Sequence, residues 1–119
     1  MKKQNIVKKA KDFSRIIKKR QGKATKYFIL NKETNTENLP KFGITFTKNI
    51  GNAVTRNKLK RRIKSIIDNN KEIYEKNQNY ILIARKTALE LTYQQMEEEV
   101  IKIFKQVKGE VNEKNKKNN

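Results

Sequence analysis

The chain contains no cysteine, no histidine and no tryptophan among its 119 residues. Without cysteine, a disulfide framework and a thiolate metal site are both excluded. Without histidine, the chain lacks the side chain most often used for acid–base catalysis near neutral pH. A two-metal nuclease site needs clustered carboxylates, but Asp12 and Asp68 are far apart, and the consecutive acids 97–99 would fan around a helix. We therefore expect no catalytic residue and no metal site.

Long apolar runs are also missing. Residues 80–84, YILIA, form one of the longest, and a run of this length is far too short to span a bilayer. The opening MKKQNIVKKAK has no apolar stretch of the kind found in a secretory signal. We expect a cytoplasmic protein with no membrane partner and no small-molecule substrate.

Positive charge is what the chain has in excess. It carries 30 lysines and arginines against 12 acidic residues, a formal net charge of +18. Solubility alone does not favour so large a charge. The imbalance therefore predicts a polyanionic partner, either nucleic acid or an anionic surface.

Hydrophobic periodicity predicts six elements in the order helix, strand, strand, helix, strand, helix. The apolar spacing of Phe13, Ile16 and Ile17 indicates the first helix, and Thr92 with Gln95 forms a capping box before the last. A polar loop over 31–41 carries the only proline, and a short additional strand within 24–38 is an open alternative. The predicted spans are 11–19, 26–31, 41–48, 54–68, 79–86 and 93–107.

This order favours one α/β domain, a two-layer sandwich around a small sheet. We place the domain at residues 11–108, after a flexible basic segment at 1–10 and before a disordered polar tail at 109–119. The strands that flank the fourth element form a βαβ unit if they pair in parallel, which the sequence alone does not decide.

The fourth element carries a concentrated basic segment, NIGNAVTRNKLKRRIK, at residues 49–64. Its apolar residues form one stripe: Leu59, Ile63, Ile66 and Ile67. The outer side then holds Asn57, Lys58, Arg61, Lys64 and Ser65, with Lys60 at the shoulder. No acid interrupts residues 58–64, so the like charges repel unless phosphates of a partner relieve them. An ordinary solvated basic face is the alternative.

The residues before this helix strengthen the nucleic-acid interpretation. Gly51 permits a positive φ or a close backbone approach. Asn49 and Asn52 are typical of a turn or a helix cap. Free N–H groups at the start of a helix favour an anion, so loop and helix face together would offer two adjoining phosphate contacts.

The segment KNIGNAVTRNKLKRRIK resembles the signature of the bacterial ribonuclease P protein subunit. DFSRII, FGITFTK, YILIARK and LTYQQMEEEVIKIF are similar to the family's first helix, second strand, third strand and last helix, so the resemblance covers about 11–107. It implies a fold like domain 2 of ribosomal protein S5, with a small central sheet and an unusual left-handed βαβ crossover.

The resemblance also implies two RNA-binding surfaces. The basic helix would contact the catalytic RNA subunit through Arg56, Asn57, Lys58, Arg61 and Arg62. A cleft between the first helix and the open sheet face would hold the single-stranded 5′ leader of precursor tRNA through Phe13, Ile17, Ile29, Asn31, Thr45, Thr47 and Lys48, with Lys60 and Lys64 at its edge. The chain departs from the family at four positions: Lys58, usually arginine, Ile17 and Asn31, often aromatic, and Asn49, usually a second lysine.

The implied activity is removal of the leader to give mature tRNA 5′ ends. The RNA subunit with bound Mg²⁺ would cleave the phosphodiester, while the protein would reduce repulsion between two polyanions. Two alternatives stay open at this point. One is a general structured-RNA-binding or ribosomal-type protein without a catalytic partner, and the other is a DNA-compacting protein favoured by charge alone.

Overall fold

The computed structural model describes the backbone of residues 1–117 and the side chains of residues 1–108. Its three helices are α1 (Ala10–Lys18), α2 (Ala53–Asn69) and α3 (Tyr93–Lys117). Its four strands are β1 (Gly22–Ala24), β2 (Phe28–Thr34), β3 (Lys41–Phe46) and β4 (Gln78–Ala84). Short 3₁₀ turns occur at Lys3–Asn5, Lys71–Ile73 and Lys86–Glu90. The mixed α/β fold class is therefore confirmed.

The four strands form one sheet in the order β1-β2-β4-β3. β2 pairs antiparallel with β4, and β3 pairs parallel with β4. Because α2 connects β3 to the parallel β4, these elements are the βαβ unit that the sequence left undecided. The left-handedness of its crossover stays a prediction.

Apolar residues are buried on both faces of the sheet. Strand side chains alternate between faces, so Leu82 of β4 joins the large core under α2 and α3, whereas Ile81 joins a smaller cluster with Val7 and Ile16 under α1. The predicted sandwich of sheet against helices is thus extended by α1 on the second face.

Local signals account for the limits of α2. The side chain of Asn52 accepts a hydrogen bond from the Thr55 N–H at 3.0 Å, an N-cap. At the other end, the side-chain amide of Asn70 donates to the Ile66 carbonyl at 2.7 Å. The predicted apolar stripe is buried at all four positions: Leu59, Ile63, Ile66 and Ile67.

The predicted capping box of α3 is also confirmed. The Gln95 N–H donates to Thr92 Oγ1 at 3.2 Å, and the Thr92 N–H donates to Gln95 Oε1 at 3.0 Å. The structure extends α3 to Lys117, past the predicted end at 107. Side chains from 109 onward lie outside the described residues, so the predicted disordered tail at 109–119 stays a prediction.

Several predicted boundaries differ from the structure by a few residues. β2 continues to Thr34, so the polar loop predicted to start at Asn31 is shorter. β1 ends at Ala24, the first residue of the region suggested for an extra strand. The N-terminal segment also packs on the domain: Ile6 pairs with Phe42, whose carbonyl accepts from the Val7 N–H at 2.9 Å. Residues 6 and 7 therefore contact β3, while the predicted domain limits of 11–108 and the predicted flexibility of 1–10 stay predictions.

In the part of the chain that the structure describes, none of the helices combines the length and the apolar character that a membrane span requires.

Candidate nucleic-acid interface

The basic side chains of α2 lie on two sides of the helix. Lys58 and Arg62 line a groove of about 440 Å³ between α2 and the segment that starts α3, whose floor includes Ala88 and Met96. Lys60 and Lys64 instead line a groove of about 480 Å³ formed by α2 alone, together with Asn57, Arg61 and Val54. The single basic face predicted from the sequence is therefore divided by the helix geometry.

The basic side chains of α2 have no acidic partner in the described part of the chain. No ion pair involves any of the six that follow: Arg56, Lys58, Lys60, Arg61, Arg62 and Lys64. The one acid of α2, Asp68, contacts the amino group of Met1 at 2.7 Å instead. Like charges three and four residues apart repel along a helix, so this array is available to an external polyanion.

The loop before α2 has the backbone geometry that its sequence predicts. Asn49 and Gly51 both have positive φ, 64° and 138°, and between them Ile50 is buried. A Cβ at Gly51 would also lie 3.1 Å from Thr55 Cγ2, so this position favours glycine on two grounds. The buried Ile50 anchors the loop, which fixes where α2 starts relative to the end of β3.

The second predicted surface lies on the α1 face of the sheet, where the strand register aligns its residues in rows. Ile29 and Thr45 flank Ile83 in one row. In the next row, Asn31 and Gly43 flank Ile81. The structure thus brings three predicted cleft residues, from β2 and β3, to one face across the central strand β4.

Helix α1 supplies the other wall of this cleft. Phe13 and Ile17 are half-buried and pack with Ile83 against the small cluster under α1. Gly43 allows the close approach of Phe13, because a Cβ at that position would come 2.5 Å from Phe13 Cζ. The partial exposure of Phe13 leaves part of its ring surface open to a base.

The remaining predicted cleft residues differ in how much they can offer to RNA. Asn31 is only 6% exposed, so its contact surface is small. Thr47 follows β3, and its N–H donates to the Ala84 carbonyl at 3.1 Å. Lys48 is exposed at the junction between the sheet and the loop that leads to α2.

Two residues of this surface were not predicted from the sequence. Ile83 is the central residue of the outer row, and the alternation within YILIARK, which places it two residues after Ile81, is the signal that indicates its face. Glu33 was assigned to a polar loop, but it is a buried residue of β2. Nothing local in the sequence indicates that burial.

Glu33 accepts hydrogen bonds from a residue of α1 and a residue of β4, and it forms ion pairs with Arg15 and Lys19. Arg15 donates to both carboxylate oxygens at 2.9 Å, through Nε and Nη2. Lys19 Nζ lies 2.7 Å from Oε2, and Asn79 Nδ2 donates to Oε1 at 3.1 Å. The hydrogen bonds from Arg15 above all lower the pKa of Glu33 from 4.5 to about 2, so the carboxylate is charged at neutral pH.

Comparison with known proteins identifies the family. A model of the ribonuclease P family matches residues 1–108. The chain belongs to the ribonuclease P protein family. A ribonuclease P protein component from Bacillus mycoides is 36% identical over 107 residues, which cover 88% of this chain and 92% of the relative.

Solved structures of ribonuclease P proteins share the fold. A mutant of the Staphylococcus aureus protein has a TM-score of 0.82 at 34% identity, with 89% of this chain and 90% of that chain covered. The Thermotoga maritima protein has a TM-score of 0.77 at 26% identity, with 84% and 94% covered. The predicted family is thereby confirmed.

Membership of the ribonuclease P protein family implies a ribonuclease P RNA as partner and participation in the tRNA-processing holoenzyme. The unpaired cations of α2 are the part of the surface that best suits such a partner. Among the side chains described, no three acidic residues come close enough together to hold a metal ion. The assignment of individual side chains to the RNA subunit or to a leader stays a prediction.

Proposed function

We propose that this chain is the subunit of a ribonuclease P holoenzyme that binds the RNA subunit through α2 and the 5′ leader of precursor tRNA in the cleft beside α1. The observation that carries the proposal is the array of six cations on α2, none of which has an acidic partner among the described residues. The holoenzyme would act in the cytoplasm.

The two sides of α2 suggest a division of contacts. Lys58 and Arg62 face the groove toward the start of α3, and we assign both to the RNA subunit. Arg56 is assigned to the same partner, as are Asn57 and Arg61 from the groove on the other side of α2. Lys60 and Lys64 face the opposite side, and we assign them to the edge of the leader path. A protein that lies between two polyanions needs cations on both sides.

The cleft beside α1 has the character of a single-strand site. Its apolar wall is formed by Phe13, Ile17, Ile29 and Ile83, all partly exposed. Thr45 adds a hydroxyl in the same row as Ile29 and Ile83. Proteins that bind single strands combine stacking surfaces with a nearby positively charged groove. Here Lys48, which is exposed just after β3, would supply the first positive charge of that groove.

The chemistry of cleavage is assigned to the RNA subunit. Mg²⁺ bound by that RNA would supply the cleavage chemistry, leaving a 5′-phosphate on the mature tRNA. The protein's own residues would bind and orient: the α2 cations screen repulsion between RNA subunit and substrate, and the cleft fixes the leader. Lower repulsion should reduce the Mg²⁺ concentration needed for activity.

Cleavage of precursor tRNA at low Mg²⁺ tests this proposal. A bacterial ribonuclease P RNA is assayed without protein, with this protein, and with a variant carrying Arg56→Ala and Arg61→Ala. We expect the protein to restore cleavage and the double variant to lose most of that effect. A variant with Lys102→Ala and Lys105→Ala removes the same charge from exposed positions of α3 and should behave as wild type.

Three results would contradict the proposal. Failure to restore cleavage by several bacterial RNAs would favour a general RNA-binding protein. Equal affinity for duplex DNA and structured RNA at the same salt would favour a DNA-compacting protein. Cleavage at the mature 5′ end by the protein without RNA would overturn the division of roles.

A further inference from the structure

Glu33 makes more hydrogen bonds and ion pairs than any other acidic side chain among the described residues. It is only 8% exposed, and its two oxygens contact donors from three side chains: Arg15, Lys19 and Asn79. A buried carboxylate is costly unless it is paired and hydrogen-bonded, and here both oxygens are engaged. The proposed RNA contacts do not use this residue.

Two partners of Glu33, Arg15 and Lys19, lie on one flank of α1, and the cleft residues that α1 supplies lie on the other. Arg15 and Lys19 are four residues apart, so they project from the same side of the helix. Phe13 and Ile17 are also four apart, and their direction differs from that of Arg15 and Lys19 by about 200° at 100° per residue. Ile16, fully buried, points between the two flanks into the sheet.

This arrangement restrains rotation of α1 about its own axis. The helix has nine residues, about two and a half turns, and Ile16 is its only fully buried side chain. A short helix that is held by a single line of apolar contacts can rotate about its own axis. The ion pairs with Glu33 hold the opposite flank to β2, and the Asn79 hydrogen bond ties the carboxylate itself to β4.

We propose that Glu33 is a positioning residue that fixes the roll of α1, and with it the place of Phe13 and Ile17 in the leader cleft. The inference rests on the proposed leader-binding function. Without the carboxylate, Arg15 and Lys19 repel each other at i, i+4, and the flank that they hold separates from β2. The consequence is a cleft whose α1 wall is displaced, while α2 and its contacts are unchanged.

The same contacts remove two cations from the RNA-binding surface. Arg15 and Lys19 are both engaged by Glu33, and Arg15 also contacts Asp12 at 2.6 Å. These side chains are therefore occupied within the protein rather than directed at leader phosphates. If capture of phosphates were their main role, loss of Glu33 would strengthen leader binding, so the two interpretations predict opposite signs.

The test measures how affinity depends on leader length. Holoenzyme reconstituted with wild-type protein or with Glu33→Gln is titrated with precursor tRNA carrying a ten-nucleotide or a one-nucleotide leader. The ratio of the two affinities isolates the leader contribution. We expect Glu33→Gln to reduce this ratio about fivefold, the size of one lost hydrogen bond, and to leave the one-nucleotide affinity unchanged.

Glu37→Gln is the matched control, because it removes the same charge from an exposed residue whose one ion pair among the described residues is with Lys41. It should keep the wild-type ratio. An unchanged or increased ratio for Glu33→Gln, or an equal loss with both leaders, would overturn the positioning role. A wild-type ratio of one would overturn the leader-binding function itself, so the two failures are distinguishable.

A second measurement reports the roll of α1 without RNA. The chain has no cysteine, so spin labels can be placed at Ser14→Cys and Lys76→Cys, both exposed positions, and their distance distribution measured. We expect a broader or shifted distribution when Glu33→Gln is added, and no change with Glu37→Gln. An identical distribution in a folded Glu33→Gln protein would overturn the inference.

Discussion

Gly43 lies directly beneath Phe13, so close that a Cβ at position 43 would come within 2.5 Å of Phe13 Cζ and 2.7 Å of Ile81 Cδ1. This contact joins β3 to α1 at the inner end of the proposed leader cleft. The glycine is therefore required by space rather than by backbone conformation. Any side chain at this position moves the wall that carries Phe13.

We predict that Gly43→Ala lowers the free energy of unfolding by about 1–3 kcal/mol, the usual cost of overpacking. That cost exceeds the roughly 0.4–1 kcal/mol that alanine gains by restricting the unfolded chain. Urea unfolding measures the change. Phe13→Leu added to Gly43→Ala removes the ring atoms nearest the new methyl group and should recover part of the loss; strictly additive losses would contradict the contact.

We predict a contribution of Glu33 to stability that is lost in acid. Its pKa is about 2 in the folded protein and 4.5 without its partners, so the unfolded chain binds the proton first. The contribution is complete above pH 4.5 and declines as pH falls toward 2, while Arg15, whose pKa is raised by its hydrogen bonds to Glu33 and Asp12, stays charged throughout. Asp12, which also contacts Arg15, stays in place in the variants.

Urea unfolding of wild type and Glu33→Gln between pH 5 and pH 2 tests the direction of this pH dependence of stability. The stability of the variant should depend less steeply on pH than that of wild type. Arg15→Gln removes the largest cause of the low pKa and should also flatten the curve. Parallel curves for wild type and Glu33→Gln would show that the carboxylate has no lowered pKa in the folded protein.

We predict that the two sides of α2 serve different RNA contacts. Lys58→Ala with Arg62→Ala should weaken binding of the RNA subunit, and Lys60→Ala with Lys64→Ala should instead reduce the advantage of a long leader. Each lost phosphate contact should lower the slope of log affinity against log salt by about 1. Filter binding over a salt series measures both effects, and the same phenotype from both pairs would contradict the division.

We predict that Lys58→Arg strengthens binding of the RNA subunit. Arginine presents a planar fork that binds phosphate through two hydrogen bonds, whereas lysine acts as a point charge. The exposed position of Lys58 imposes no packing cost on the change. Affinity should rise about threefold with the salt slope unchanged, because the charge is the same; a weaker complex would indicate that Lys58 contacts something other than phosphate.

The long helices were predictable because their signals are local. Each signal lies within a few residues of the helix position that it determines. The signals are the apolar stripe from Leu59 to Ile67, the Asn52 cap and the Thr92 capping box. The same is true of the basic array on α2, since charge and helical period together place it. These features required no knowledge of the rest of the chain.

The features that were missed depend on distant contacts. Glu33 is 18 residues from Arg15 and 46 from Asn79, so its burial in β2 is a tertiary effect that overrides its polar appearance. β1 contains GKA, with no strand-forming side chain, and exists because it pairs with β2. Parallel pairing of β3 with β4 is likewise decided by the packing of α2.

The pairing of Ile6 with Phe42 has a consequence for self-association. β3 is the outer strand on its side of the sheet, and an open edge strand is a template for pairing with another chain. The N-terminal segment covers one end of that edge and leaves residues 43–46 uncovered, while the opposite edge is the three-residue β1. A second copy therefore meets only short edges, and edge-to-edge polymerisation is disfavoured even where many copies collect along one polyanion.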